Sequence, residues 1–310
     1  GFLPSLVDLA ARRRTGLHTL YVSPLKALGT DIARNLQIPV AEMGLSVSIE
    51  TRSGDTPANR RARQKDVAPN ILLTTPESLL LLLSQENSAA YFGELACVVV
   101  DEIHALAGTK RGDQLALCLS RLRALSATRI VGLSATVAHP EAMRRFVGPG
   151  ARLVLAEAGA APEITLALPE KEIPWSGHMG LKSAELVLQK IALAKMSIVF
   201  VNTRAQAELL FAEIWRHNEE NLPIAIHHGS LDIAQRRKVE AAMAEGRLRG
   251  VIATSSLDLG IDWGGVDQVL QIGAPKGVSR LLQRLGRANH RLDEPSRAVL
   301  VPANRFEVLE

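Results

Sequence analysis

The sequence has little cysteine and no long uninterrupted apolar run. Cys97 and Cys118 are the only cysteines in 310 residues, and neither belongs to a CxxC or Cys/His pattern. These absences exclude a disulfide framework and a cysteine-rich zinc site, so both thiols are predicted to be reduced core residues. Charges interrupt the apolar stretches well before the roughly 20 residues of a membrane span, and no segment has the organisation of a signal peptide. We therefore expect a cytoplasmic protein.

The chain also lacks a strong excess of either charge. Its 36 basic and 32 acidic side chains give a net charge of +4, which is compatible with binding to a phosphate backbone. It is far from the concentrated basic stripe of a dedicated DNA-binding module. The composition, 47% hydrophobic and 22% charged, is that of a globular protein, and the length suits two domains of about 150 residues each.

What the sequence does have is an alternation of apolar, β-branched runs with helical patterns. This is typical of βα units that build parallel sheets covered by helices on both faces. The predicted fold class is therefore α/β, with two tandem domains. The predicted strands are 18–22, 47–51, 71–74, 96–100 and 130–133 in the first half, and 197–201, 224–227, 250–253, 268–272 and 298–301 in the second.

Between the two series of strands lies a segment, 156–180, with three prolines, several glycines and little helical periodicity. We predict a first domain at 1–155, a linker at 156–180 and a second domain at 181–310. Within the linker, residues 164–168 could add an edge strand. A helix is predicted from Gly1 to about Arg14, and we expect the chain to be a fragment of a longer protein.

The most informative segment is CVVVDEIH, residues 97–104, in which an apolar strand ends in two adjacent carboxylates followed by a histidine. Ligands of open parallel sheets bind beyond the carboxyl ends of the strands. Asp101 could therefore hold a Mg²⁺ ion through water, and Glu102 could orient or deprotonate an attacking water. Alone, the pattern is equally compatible with a solvated turn after a core strand.

A short serine and threonine segment, residues 134–136, follows the predicted strand at 130–133. Its hydroxyls could hydrogen-bond His104 or the acids. The alternative is a cap of the helix predicted near 140–146, which is a common role for such residues.

The C-terminal part gathers three arginines in QRLGRANHR, residues 283–291, on a predicted helix without an acid. Arg287, helped by Arg284, could supply an arginine finger that stabilises charge on a transferring phosphoryl group. A solvated basic face is the alternative.

The order of these and other segments resembles the motifs of superfamily 2 nucleic-acid helicases. The matching segments are YVSPLKAL (21–28, motif Ia), SGD (53–55), TPES (75–78, Ib), DEIH (101–104, II), SAT (134–136, III), FVNTR (200–204, IV), HGSL (228–231), TSSLDLGID (254–262, V) and QRLGRANH (283–290, VI). The phrases DEIHALAG, KRG and GRANHR are most similar to the bacterial Lhr-like group, which includes ligase-associated DNA damage response proteins.

This resemblance implies two RecA-like domains that form a monomeric, ATP- and Mg²⁺-dependent motor, moving 3′ to 5′ on DNA and linked to DNA repair. Its contacts to the nucleic-acid backbone would be largely independent of base sequence. The implied catalytic residues are Asp101, Glu102, His104, Gln283, Arg284 and Arg287, with Asp101 also the metal ligand. The implied ATP-binding residues are Ser134, Thr136, Gly260 and Asp262. The implied nucleic-acid-binding residues are Pro24, Lys26, Gly54, Thr75, Pro76, Asn202, Thr203, Arg204, Gly229, Thr254 and Ser256. Each of this last group could otherwise belong to a turn or a helix cap.

Two features depart from the family pattern. The phosphate-binding loop G-x-x-x-x-G-K-[ST] occurs nowhere in the sequence, although the resemblance places it immediately before the helix at Gly1. We therefore expect half of the nucleotide site to be missing and the chain to be inactive by itself. His290 stands where many superfamily 2 proteins have a second arginine, and whether Arg291 replaces it stays open. Lhr-like proteins continue into winged-helix and further C-terminal domains, which we expect in the full protein.

Two other functions stay open. An RNA helicase has similar motifs, because contacts to the backbone need not distinguish the sugars strongly. A non-catalytic nucleic-acid-binding scaffold is favoured by the missing loop and disfavoured by Asp101, Glu102 and Arg287. A nucleotide-dependent dehydrogenase is excluded, since no G-x-G-x-x-G sequence follows a predicted strand.

Overall fold

The computed structural model describes residues 1–12, 15–24, 26–134, 139–155, 160–169, 173–175, 179–258, 265–275, 277–288 and 295–309. The side chains of residues 26–28, 30, 31 and 279 lie outside this description. The chain divides into two compact units, Gly1–Leu155 and Ala156–Glu310.

The first unit is built on a parallel sheet. Strands β1–β5 are Thr19–Val22, Ile49–Arg52, Ile71–Thr74, Cys97–Val100 and Arg129–Gly132. Helices α1–α8 are Leu3–Ala11, Lys26–Glu42, Ala58–Asp66, Pro76–Leu83, Ser88–Phe92, Ile103–Leu106, Lys110–Leu125 and Pro140–Val147. Within the described residues the strand order is β2-β3-β1-β4-β5, and neighbouring strands are parallel.

The second unit repeats this architecture. Strands β6–β11 are Glu163–Leu166, Ser197–Phe200, Ile224–His227, Gly250–Ala253, Gln268–Ile272 and Arg297–Val301. Helices α9–α12 are Ala184–Leu193, Arg204–His217, Ile233–Ala244 and Val278–Leu285, with 3₁₀ turns at Leu181–Ser183, Ser255–Leu257 and Phe306–Val308. Among the residues that the structure describes, the strand order is β6-β11-β10-β7-β9-β8, again with parallel neighbours.

Both faces of the first sheet are buried. Successive residues of a strand point to opposite faces, and β1 shows the consequence. Leu20 and Val22 pack in one apolar cluster with Leu79, whereas Tyr21 packs in another with Leu6. A strand buried on both faces needs apolar residues at nearly every position, which explains the mainly apolar sequences of the fully buried central strands β1, β3 and β4.

The predicted fold class is confirmed, and the ten predicted strands are present with small shifts at their ends. Strand β6 pairs with β11 at the edge of the second sheet, so part of the segment predicted as a linker belongs to that sheet. Helix α1 begins at Leu3 and not at Gly1, with Pro4 in its first turn, where the missing amide costs no hydrogen bond. None of the described helices is long and apolar enough to cross a membrane.

Candidate functional site

The parallel register brings three loops to one edge of the first sheet. Val22 of β1 lies beside Thr74 of β3 and beside Val100 of β4. The segments that follow these three strands therefore start side by side, at the carboxyl edge where ligands of parallel sheets bind. They contain Pro24, Thr75 and the adjacent acids at 101 and 102.

Asp101 is held by groups from its own strand and its neighbour. Its amide donates to the carbonyl of Val22 at 2.9 Å, and its carboxylate accepts the hydroxyl of Tyr21 and, at 2.8 Å, the amide of Glu102. Tyr21 is completely buried. Burial, followed by the charge of Asp101, raises the pKa of Tyr21 far above its ordinary value, so the phenol stays protonated and acts as a donor.

Glu102 has a left-handed backbone, with φ of 47° and ψ of 44°. For a residue with a side chain this conformation costs about 1–2 kcal/mol, and such strain is often found at functional sites. It turns the chain sharply between β4 and α6. As a result, α6 starts directly after the two acids and carries His104 back toward them.

His104 connects the acids to the segment after β5. Its Nδ1 lies 2.8 Å from the hydroxyl oxygen of Ser134, and its Nε2 lies 3.2 Å from a carboxylate oxygen of Glu102. Burial lowers the pKa of His104, although the charge of Asp101 opposes this, so the ring is neutral at pH 7. Nδ1 of a neutral ring can accept the hydroxyl of Ser134, whereas Nε2 is buried and, within the described residues, makes no hydrogen bond.

The contact between Ser134 and His104 is the one that the sequence predicted. The alternative, a cap for the following helix, does not apply to Ser134, because α8 begins at Pro140 with His139 at the cap position. The two segments that carry DEIH and SAT are therefore joined within the first unit.

Two of the predicted nucleic-acid-binding residues of the first unit, Gly54 and Thr75, follow strands β2 and β3 at the same sheet edge. Thr75 caps α4, accepting the amide of Ser78 at 3.5 Å, and its side chain is buried. Gly54 is exposed in the turn after β2, which the amide of Thr56 closes by donating to the carbonyl of Ser53 at 3.1 Å. Thr75 is thus a helix cap, the alternative that its sequence position allowed. Its contact to nucleic acid stays a prediction.

In the second unit, the motif IV residues follow β7. The side-chain amide of Asn202 donates to the carbonyl of Ala274 at 2.8 Å, which connects the loop after β7 to the loop after β10. Thr203 caps α10 by accepting the amide of Gln206 at 3.1 Å, and Arg204 donates to the hydroxyl of Ser230. Thr203 and Arg204 are both exposed, so they are accessible to a nucleic-acid backbone.

His227, at the end of β8, fixes the motif V turn. Its Nδ1 lies 2.8 Å from the hydroxyl oxygen of Ser256, and that hydroxyl lies 3.0 Å from the carbonyl of His227. Its Nε2 lies 3.1 Å from the carboxylate of Glu240 on α11. Thr254 is buried, and Gly229 is exposed with open space around its Cα. Sequence reasoning missed His227, because nothing in the local pattern distinguishes it from a core residue.

Arg284 is buried inside the second unit. Its guanidinium is only 1% exposed and donates to Asp258 at 2.8 Å and to Gln271 at 2.5 Å. The same group lies 4.6 Å above the centre of the Phe200 ring. These partners occupy the guanidinium of Arg284 inside the second unit, and its catalytic role stays a prediction.

Arg287 has different surroundings. Helix α12 ends at Leu285 and not at residue 291, so Arg287 lies in a turn beyond it, with its amide bonded to the carbonyl of Arg284 at 2.9 Å. Arg287 is partly exposed, and so is Gln283 on α12. The two predicted catalytic arginines therefore differ in burial, and their catalytic roles stay predictions.

Several predicted site residues lie outside the described residues. These are Thr136, Gly260, Asp262, His290, Arg291 and the side chain of Lys26. In the part of the chain that the structure describes, no group of three or more His, Cys, Asp or Glu residues could hold a metal. Mg²⁺ is commonly bound by one or two carboxylates together with substrate phosphates, so a site at Asp101 does not require such a group.

Two family models match the chain. The model described as DEAD/DEAH box helicase matches residues 1–144, and the model described as Helicase conserved C-terminal domain matches residues 183–291. Each model lies within one of the two units. The predicted resemblance to helicases is thereby confirmed by both halves of the chain independently.

Two curated relatives show the group within that family. The Lhr helicase/probable uracil glycosylase of Mycolicibacterium smegmatis is 37% identical over 98% of this chain and 23% of that protein. The ATP-dependent helicase Lhr-Core of Methanocaldococcus jannaschii is 34% identical over 95% of this chain and 36% of that protein. The chain thus spans about a quarter to about a third of the length of these relatives.

Solved structures confirm the tandem RecA-like fold. The structure of Mycobacterium smegmatis helicase Lhr bound to ssDNA and AMP-PNP has a TM-score of 0.82 and 39% identity, over 99% of this chain and 42% of that one. The DUF1998 helicase MrfA bound to DNA has a TM-score of 0.84 and 25% identity, over 97% and 44%. The DEAD-box helicase Mss116 bound to ssRNA and UDP-BeF is only 17% identical, with a TM-score of 0.80 over 98% and 63%, and shows likeness of fold alone.

Proposed function

The chain belongs to the Lhr-like group of DEAD/DEAH box helicases, and on that premise we propose that it is the ATP-driven motor core of a DNA helicase or translocase. The observation that carries the proposal is a continuous series of contacts. Hydrogen bonds join Tyr21 to Asp101 and His104 to Ser134, and His104 Nε2 lies 3.2 Å from a carboxylate oxygen of Glu102. The series joins the strand that leads into motif Ia, the acids of motif II and the serine of motif III.

The acids fit a magnesium-bound nucleotide. Asp101 presents carboxylate oxygens at the carboxyl edge of the sheet, and such hard oxygen donors are the ligands that Mg²⁺ prefers. When bound, Mg²⁺ neutralises charge on the β- and γ-phosphates of ATP. Asp101 would hold this ion through water. Glu102 would orient the attacking water and accept its proton, with His104 Nε2 lying 3.2 Å from its carboxylate.

Arg287 supplies the positive charge in this proposal. A guanidinium that acts on a phosphoryl group must be able to leave its own domain surface, and Arg284 is buried among fixed partners. Arg287 lies in the turn that follows α12 and is partly exposed. It would stabilise the charge that develops on the transferred phosphoryl.

Binding of single-stranded DNA is proposed from the loops at the sheet edges. Contacts to phosphates need hydroxyls, amides and cations, and they do not read the bases. Four exposed residues are suited to such contacts: Gly54, Thr203, Arg204 and Gly229. The solved Lhr structure holds ssDNA and AMP-PNP, which supports DNA over RNA. Movement from 3′ to 5′ and a link to DNA repair are part of the proposal, by resemblance to the group.

The nucleotide site also needs a phosphate-binding loop, and the 310 residues contain no G-x-x-x-x-G-K-[ST] sequence. Positioning and electrostatic stabilisation are nearly the whole of phosphoryl-transfer catalysis. We therefore propose that these residues bind nucleic acid by themselves but hydrolyse ATP only together with such a loop.

The test compares nucleic acids in one assay. The chain is extended at its N-terminus by a phosphate-binding loop, and phosphate release is measured with ssDNA, with ssRNA and without either. Stimulation by ssDNA above ssRNA is the expected result. Equal or greater stimulation by ssRNA would favour an RNA helicase, and binding without any turnover would favour a non-catalytic scaffold.

A further inference from the structure

Arg111 joins two of the segments of the first unit that are proposed to bind nucleic acid, those at Pro24 and at Thr75 and Pro76. It is the second residue of α7, and its Nε donates to one carboxylate oxygen of Glu77 at 2.6 Å. Its Nη2 donates to the other oxygen at 3.2 Å and to the carbonyl of Pro24 at 3.0 Å. Pro24 belongs to the motif Ia segment after β1, and Glu77 is in the first turn of α4, directly after Thr75 and Pro76.

The backbone that carries Arg111 is fixed against the helix of motif II. The hydroxyl of Thr109 donates to the carbonyl of Leu106 at 2.6 Å and accepts the amide of Gly112 at 3.1 Å. A Cβ atom at Gly112 would lie 2.0 Å from the carbonyl oxygen of Leu106, so only glycine allows this approach. The first turn of α7 is therefore packed on the end of α6, which carries His104.

Arginine is the side chain that this arrangement requires. Its planar fork can bond both oxygens of a carboxylate and still donate to a carbonyl, whereas lysine is a compact point charge without that geometry. The hydrogen bond from Arg111 lowers the pKa of Glu77, so the pair stays ionised. Both side chains are nearly half exposed, at 44% and 49%, and exposed pairs contribute little to the free energy of unfolding. The main effect of the Arg111–Glu77 pair is therefore to fix the geometry of the segments at Pro24 and Glu77, and not to stabilise the fold.

We propose that Arg111 is a positioning residue, which holds the Pro24 segment and the first turn of α4 in the arrangement that binds the nucleic-acid backbone. Its contact with Glu77 neutralises its charge, so Arg111 acts through these two loops and not on a phosphate. Because α7 is packed on α6, the same residue connects the nucleotide side of the sheet edge to the nucleic-acid side. The inference rests on the proposed binding of nucleic acid.

The experiment measures the affinity of the 310-residue chain for a fluorescent oligothymidylate, by anisotropy over a series of salt concentrations. Arg111→Ala is expected to weaken binding about threefold to thirtyfold, the range for residues that act without touching the ligand. The slope of affinity against salt and the melting temperature should stay close to wild type. Arg111→Lys should recover part of the affinity, because a single ammonium can bond Glu77 or Pro24 but not both as the fork does.

The matched control is Arg144→Ala. Arg144 on α8 also pairs with a carboxylate, Glu141, at 2.7 Å, and its Nη1 lies 3.4 Å from the carbonyl of Pro149. It therefore resembles Arg111 in chemistry but contacts neither proposed loop. Hydrogen exchange in peptides from 15–24 and 71–83 supplies the second readout, which should accelerate in Arg111→Ala and not in Arg144→Ala.

Three outcomes would overturn the inference. A salt slope smaller by about one in Arg111→Ala would mean that Arg111 neutralises a phosphate directly. Restored affinity in Arg111→Ala with Glu77→Ala would mean that Arg111 only masks a repelling carboxylate. Unchanged affinity in Arg111→Ala, with wild-type binding intact, would remove the role altogether. If wild type binds neither DNA nor RNA, the proposed function fails, and the inference that depends on it fails as well.

Discussion

The hydroxyl of Tyr21 donates a hydrogen bond to the carboxylate of Asp101. A completely buried phenol on β1 therefore orients the acid that follows β4, on the neighbouring strand. The strand that leads into motif Ia thus contributes directly to the geometry of motif II. A displacement of the motif Ia segment would therefore move the carboxylate of Asp101 through this hydrogen bond.

Tyr21→Phe should lower the free energy of unfolding by about 1–3 kcal/mol at pH 7, since the ring packing stays and a hydrogen bond to a charged group is lost. Urea denaturation measures the change. Tyr91→Phe is the control: in the described part of the chain the hydroxyl of Tyr91, although buried, has no hydrogen-bond partner. A cost for Tyr91→Phe equal to that for Tyr21→Phe would contradict the role of the hydrogen bond.

The contribution of Tyr21 should also depend on pH. Folding raises the pKa of Tyr21 above the ordinary value of about 10, so the folded state holds this proton more tightly than the unfolded state. The stabilisation is complete below about pH 10 and is lost as the pH rises toward the folded pKa. The difference in unfolding free energy between wild type and Tyr21→Phe should therefore shrink above pH 10. If this difference in unfolding free energy stayed constant above pH 10, the raised pKa of Tyr21 would not contribute to stability.

Glu102→Gln, in a chain extended by a phosphate-binding loop, should reduce ATP hydrolysis by a factor of about 10² to 10⁴, the usual contribution of a positioned acid or base. ATP binding should stay nearly unchanged, because Asp101 and the loop are intact. Phosphate release and nucleotide binding are measured on the same preparation. Turnover equal to wild type would remove Glu102 from its assigned role.

Arg287→Ala, in the same extended chain, should reduce hydrolysis by a factor of about 10³ to 10⁵, as for other arginine fingers, with a small effect on ATP binding. Arg297 is the control. It is 67% exposed on β11 and pairs with Glu163 at 3.2 Å, so Arg297→Ala removes a charge without a proposed catalytic role. Equal damage at 287 and 297 would favour the solvated basic face.

Arg284→Ala should destabilise the second unit by about 3–5 kcal/mol, because it removes the buried partner of the Asp258 carboxylate and leaves it only Arg280, at 4.0 Å. This loss should appear as a lower melting temperature, before any nucleotide is added. Removing both members, in Arg284→Met with Asp258→Leu, should recover much of the stability, since buried ion pairs can often be replaced by apolar groups. A fully stable Arg284→Ala variant would contradict the structural role.

The 310-residue chain should fold and show little or no ATPase activity by itself. Its two apolar cores are complete enough to bury both faces of the first sheet and the centre of the second. Hydrolysis needs phosphates that are already positioned, whereas weak, salt-sensitive DNA binding depends only on the sheet-edge loops. Comparable DNA-stimulated turnover with and without an added phosphate-binding loop would refute this.

The sequence by itself determined the strands and the placement of the acids. A parallel sheet buried on both faces requires continuous apolar strands, so the runs ending at Val22, Thr74 and Val100 could be located from their composition. Because parallel strands share one carboxyl edge, the residues that follow them were expected to lie together. The contact between His104 and Ser134 follows from the same rule.

Only the tertiary structure decided which side chains are buried by distant partners. Arg284 and Arg287 are three positions apart in one basic segment, and the burial of Arg284 depends on Asp258, 26 residues before it. Arg111 likewise contacts groups 34 and 87 positions away. The local sequence pattern shows the helical or strand periodicity and where the strands end. The direction of a long polar side chain depends instead on which charged groups and carbonyls the folded chain brings within about 3 Å of it.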